Sequence, residues 1–161
     1  MILQILQDAL FSAIAAIGFA AISRPPAKAF YICAVIAAVG HSVRFVMLRE
    51  GGIMDINIVI ATFVAAFIVG VLAVFMSPMV KTPAETCLFP ALLPMIPGVY
   101  AYKSFAGLMM CMLRDGEKAF DYYFYQFAHN GLTCLFIIAG MVVGATMPIF
   151  IFKKISFQAT R

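Results

Sequence analysis

A membrane-length apolar run over residues 88–113 is cut by Pro90, Pro94, Pro97 and Gly98 and then continues past Tyr100, Tyr102 and Lys103. A proline has no amide hydrogen for the carbonyl four residues back, so a helix here leaves the oxygens of Thr86, Pro90 and Leu93 without their usual donors. Hydrocarbon tolerates such oxygens only where protein or a wet cavity supplies replacements. Gly98 is expected to take backbone angles closed to other residues. Amides from Val99 onward then open a second half-helix whose positive end lies near the bilayer midplane. Discontinuous helices of this kind build solute sites in secondary transporters. A simple kink is the plainer alternative, since proline is frequent in membrane helices.

Composition places this run in a membrane. Of 161 residues, 65% are hydrophobic and 11% charged, and the mean hydropathy is +1.05, more than a soluble domain of this size needs for its core. The expected fold class is all-α: a polytopic membrane protein with five transmembrane helices, the fourth broken at the Pro/Gly motif, in a single domain over residues 1–161. The net charge of +4 does not point to nucleic acid, because the basic residues stand at the ends of apolar runs and not on one face. Cys33, Cys87, Cys111 and Cys134 stand singly, with no CxxC pair and no clustered histidines. They read as buried free thiols, and nothing in the pattern calls for a metal or cofactor.

The first span covers residues 2–22. It lacks the basic start of a signal peptide, carries Asp8 instead, and is long enough to cross a bilayer. Ser23, Arg24, Pro25 and Pro26 end it. The second span, residues 28–48, repeats Ala34, Ala38 and Ser42 at four-residue spacing, a close-packing stripe. A loop over residues 49–55, turned by Gly51 and Gly52, leads to a third span over residues 56–76 with Thr62, Ala66, Gly70 and Ala73 on one face. A loop over residues 77–85 precedes the broken helix. Residues 114–121 mix both charges and lead to Tyr122, Tyr123 and Tyr125, aromatics suited to the membrane interface. The fifth span is expected from about residue 127 to 152, with a GxxxG pair at Gly140 and Gly144 and then Pro148.

Five spans put the termini on opposite sides. One side holds Arg24, Lys28, Lys81, Lys153, Lys154 and Arg161; the other holds Arg49, Arg114 and Lys118. The positive-inside rule makes the first side cytoplasmic, with the N-terminus outside and the C-terminus inside.

Ionisable groups inside spans are costly and tend to face a cavity or partner. His41 and Arg44 lie three residues apart on one face of the second helix, where they form a candidate polar patch. His41 either carries a proton or bonds a neighbouring helix. Arg44 either joins the patch or snorkels outward. His129 and Asn130 sit close to the outer interface. Lys103 follows Gly98 by about one and a half turns, close enough to reinforce an anion site at the new helix start.

Gly18, Phe19 and Ala20 in the first span, Gly40 and His41 with Arg44 in the second, Pro94, Met95, Ile96, Pro97 and Gly98 followed by Ala101 and Tyr102 in the fourth, and Asn130, Leu132, Thr133, Gly144 and Pro148 in the fifth together resemble the bacterial threonine/serine exporter (ThrE) family, in its short split-subunit form. The resemblance implies export of small hydrophilic metabolites, hydroxylated amino acids or, in some split pairs, dicarboxylates, from the bacterial inner membrane. Longer members look like two five-helix halves preceded by a cytosolic domain, and this chain looks like the second half. The implied partners are a longer five-helix subunit with a cytosolic domain, copies of this chain, or both, together with a small-molecule substrate. Lys103 lies outside the family pattern and rests on the local argument alone.

The site residues expected from these readings are Pro94, Pro97, Gly98, Val99, Tyr100, Tyr102 and Lys103 for the solute, with His41, Arg44, Asn130 and Thr133 as proton-coupling or polar-patch residues. A transport-inactive scaffold or assembly subunit is the alternative, since packing faces outnumber site residues. An intramembrane enzyme is disfavoured. His41 and His129 belong to different helices, and no acidic residue is obviously placed beside either.

Overall fold

The computed structural model describes residues 2–48 and 54–156, so the expected Gly51–Gly52 turn, Arg49 and Arg161 lie outside the described residues. The protein is an all-α polytopic membrane protein. Its helices are α1 (Ile2–Ser23), α2 (Ala27–Met47), α3 (Ile58–Met76), α4 (Ala84–Leu92), α5 (Gly98–Leu113), α6 (Glu117–Ile151) and the short α7 (Lys153–Ser156), with 3-10 turns at Ser77–Val80 and Leu93–Met95. Among the described residues α1, α2, the stretch Ile58–Val80 and α6 are each long and apolar enough to cross a membrane, and Ala84–Met95 with Gly98–Leu113 adds a broken fifth.

Local chemistry sets most boundaries. Pro25 and Pro26 stop α1 and open α2, where the fixed proline φ suits the first turn and no amide is wasted. Asn57 caps α3 by accepting the Val59 amide at 2.9 Å. Gly116 links α5 to α6 at φ 108°, a conformation that few side chains tolerate.

The chain forms two compact units, residues 1–95 with 140–161, and residues 96–139. The first contains α1 to α4 and the second half of α6. Its core is built from small residues, among them Ala16, Ala37, Ala66, Ala73 and Ala145, interleaved with Ile36, Val69, Leu88 and Met95. Small side chains let helix backbones approach, which is how helices associate where lipid is as apolar as the core. The α3–α6 crossing shows this best. Gly144 lies against the Phe63 carbonyl, and Gly70 lies against the Ala145 carbonyl, so each helix offers a glycine to the other's backbone. The second unit is a hairpin of α5 with the first half of α6. Ser104 donates to the Phe127 carbonyl at 2.9 Å, and Gly107 lies against the backbone of Tyr123 and Phe127.

Three expectations need correction. Helix α6 begins at Glu117, ten residues before the expected start, because nothing in the Tyr-rich segment breaks a helix. Its 35 residues extend about 52 Å at 1.5 Å per residue, against a hydrocarbon core of about 30 Å. The tyrosine-rich turns therefore belong to the helix itself. Helix α4 likewise begins at Ala84, inside the expected loop over residues 77–85 and ahead of the apolar run, its first turn opened by Pro83. In α2 the fully buried stripe is Ala29, Cys33, Ala37 and Gly40, while Ala34, Ala38 and Ser42 are only half-buried. The α3 face of Thr62, Ala66, Gly70 and Ala73 is buried as expected.

Candidate functional site

The break follows from prolines whose freed carbonyls find other donors. Pro90 sits inside α4, and the Thr86 oxygen it releases accepts the Cys33 thiol at 3.9 Å. After the 3-10 turn ending at Met95 the backbone leaves helical geometry at Ile96 and Pro97. Pro97 has φ −78° and ψ 57°, close to an inverse γ-turn, and the Gly98 amide donates to the Ile96 carbonyl at 2.8 Å. The Pro97 carbonyl then accepts the amides of Tyr100 and Ala101 at 3.1 and 3.2 Å, and the Cys134 thiol at 3.9 Å.

This geometry changes the expected donor set. The Tyr100 amide is already committed to Pro97, whereas among the described residues the Val99 amide finds no acceptor. Gly98 needs no special backbone angle, since its φ is negative, and a methyl group added there would meet nothing within 4 Å. The break belongs to Pro97. Val99 and Tyr102 are exposed, as is Lys103. At spacings of three and four residues these side chains share a face of α5.

In the first unit, Arg44 and His41 each bond a different neighbouring segment. Arg44 turns inward, and its Nη1 donates to the Met95 carbonyl at 2.8 Å. A cation there stabilises the negative end of the α4 segment and satisfies an oxygen that Val99 would bond in a continuous helix. His41 Nδ1 lies 3.1 Å from Asp8 Oδ2 on α1, and among the described residues its buried Nε2 finds no partner. The expectation that no carboxylate lies beside either histidine is therefore corrected. Asp8, an argument against a signal peptide, is also the carboxylate partner of His41. The signal that finds it is a carboxylate inside an apolar span.

The remaining polar candidates are bonded along their own helix. Asn130 Nδ2 donates to the Gln126 carbonyl at 2.7 Å, Thr133 Oγ1 donates to the His129 carbonyl at 2.8 Å, and the His129 ring stacks on Tyr125. Cys33 and Cys87 are buried free thiols, and Cys111 and Cys134 are half-buried ones.

Residues 8–151 match the family described as Threonine/Serine exporter, ThrE. An uncharacterized protein of Haemophilus influenzae is 36% identical over 153 residues, which cover 94% of this chain and 49% of that protein. The chain thus spans about half the length of the curated relative it matches. No solved structure matches it. The match takes in the Asp8–His41 pair, the Arg44-capped break and the glycine crossing of α3 with α6, and with it this chain belongs to the Threonine/Serine exporter (ThrE) family.

Proposed function

We propose that this chain is one half of a secondary exporter that moves small hydrophilic metabolites, threonine and serine or dicarboxylates, out of the bacterial cytoplasm at the expense of the proton gradient. The observation that carries this reading is the interrupted intramembrane helix, with the Val99 amide uncommitted at the start of α5. A solute carboxylate there gains a backbone hydrogen bond and the positive end of the helix together. Side chains on a helix lean toward its N-terminus, so Lys103 and Tyr102 reach back to that point with a charge and a hydroxyl. Pro94 and Pro97 keep the break open.

The partner follows from the same residues. An exposed lysine within a span is costly against lipid and calls for a second protein surface or water beside it. In this reading the rest of the solute path is supplied by a five-helix subunit with a cytosolic domain or by another copy of this chain. The test is efflux of labelled serine, threonine and succinate from cells with and without this chain, its partner present. Loss of efflux for at least one solute on deletion supports the reading. Unchanged efflux of all three would leave the scaffold role.

Orientation has its own test. With the N-terminus outside and the C-terminus in the cytoplasm, a membrane-impermeant thiol probe labels a cysteine placed at Lys118 in intact cells. One placed at Ala27 is labelled only after permeabilisation. The reverse pattern overturns the orientation.

A further inference from the structure

We infer that Asp8 and His41 form an intramembrane proton-binding site in which His41 Nε2 takes up and releases the proton and Asp8 is the positioning residue. The inference rests on the exporter reading for its physiological role, and on the structure for its chemistry. The 3.1 Å contact between His41 Nδ1 and Asp8 Oδ2 requires a proton between them. An ionised carboxylate only accepts, so Nδ1 carries the hydrogen and the neutral ring keeps its lone pair on Nε2. Nε2 is buried and has no hydrogen-bond partner among the described residues, while the side chain as a whole remains 13% exposed. A bare lone pair is tolerable there. An Nε2–H is not, because a buried donor without an acceptor is costly, and a buried charge more so.

Protonation therefore turns an accepted arrangement into a disfavoured one, relieved by admitting water or by moving a helix. That is the property a coupling site needs: its two protonation states prefer different surroundings. The neighbouring groups reinforce it. Asp8 is the sole ionisable side chain of α1 and α3 has none. On α2, Arg44 lies one turn beyond His41, committed to the Met95 carbonyl, and repels a second positive charge. Lys28, Tyr31 and Cys33 lie two or more turns back along α2. Glu85 and Cys87 belong to the first turns of α4, well before Met95, and Asp55 lies beyond the end of α2. Asp8 is thus the counter-ion for a protonated His41, and 35% of its side chain is exposed.

The chain contains two histidines, so a His129→Gln background leaves His41 as the single imidazole. In that full-length protein, with ring nitrogens labelled and the sample in lipid, nitrogen chemical shifts are expected to report hydrogen on Nδ1 and a bare Nε2 at high pH. Hydrogen on both nitrogens is the signature expected of the proton-loaded state. Asp8→Leu, which removes the acceptor, should abolish the Nδ1–H preference, and Asp8→Glu should retain it. Hydrogen on Nε2 in the unsubstituted pair, or no response to Asp8→Leu, overturns the site.

The coupling role has a separate readout in vesicles holding this chain and its partner. Asp8→Asn and His41→Gln should lose solute movement driven by an imposed proton gradient, yet keep solute-for-solute exchange, which needs no net proton transfer. Loss of both modes at normal protein level overturns the coupling role. Absence of all transport in the unsubstituted protein, with the Nδ1–H signature intact, would instead remove the exporter reading and leave the proton site standing.

Discussion

Gly144→Ala is expected to destabilise the protein by about 3 kcal/mol, the upper end of what overpacking costs, while Gly140→Ala is neutral or stabilising by up to about 1 kcal/mol through helix propensity. The two glycines form one GxxxG pair in the sequence, yet they meet different surroundings. A methyl group at Gly144 runs into the backbone carbonyl of Phe63, which cannot swing aside as a side chain does. At Gly140 the nearest atom is the Val59 carbonyl oxygen at 3.6 Å, an ordinary contact. Relief at Gly144 requires α3 and α6 to separate, and the reciprocal contact of Gly70 with the Ala145 carbonyl would open with it. Thermal unfolding in detergent, followed by loss of the monodisperse species, checks this. Equal behaviour of the two variants would mean that the crossing is not built on Gly144. Because both glycines pack against α3 of the same chain, this motif is committed inside the protomer.

Pro97→Ala combined with Gly98→Ala is expected to lower export roughly tenfold to a hundredfold at unchanged protein level. Alanine at 97 restores an amide for the Leu93 carbonyl and removes the constraint behind the γ-turn, so the helix runs through the break. Propensity favours this closure, since proline costs about 3 kcal/mol and glycine about 1 kcal/mol relative to alanine within a helix. Once closed, the Val99 amide bonds within the helix and is lost to a solute. A hydrogen bond to a charged group contributes about 1.5–3 kcal/mol, and every 1.4 kcal/mol is about tenfold in affinity. Gly98→Ala alone should leave export unchanged, because its φ is already negative and the space beside it is open. Labelled-solute efflux, with protein level by immunoblot, separates these outcomes. Unchanged export in the double variant would reduce the break to a kink and move the solute site elsewhere.

The neighbourhood of the break was legible because its causes are covalent. Pro90, Pro94 and Pro97 lack an amide hydrogen in any fold, so a helix through them must lose bonds, and the interruption falls at Ile96 and Pro97. What the sequence reading misassigned was the part played by Gly98. Glycine permits unusual angles but does not demand them, and here proline alone makes the turn. The replacement donors were not legible. The Cys33 thiol lies 53 residues from the Thr86 oxygen and the Arg44 guanidinium 51 from the Met95 oxygen, separations at which no spacing rule applies.

Five apolar stretches of spanning length, the interruption of the fourth, and the small-residue face of α3 were determined by the sequence alone. Each depends on residue type or on the period of a single helix. Tertiary structure decided how the helices are rotated and what their polar residues meet. A helix apolar on nearly every side has little to fix its rotation about its own axis. The rotation of α2 is therefore set by the fit of Gly40 against Val69 and Met95. That fit buries the stripe through Ala37, turns Arg44 toward the Met95 carbonyl, and brings His41 to Asp8 across 33 residues of chain. The pairing arises from packing between helices, and no period within either helix encodes it.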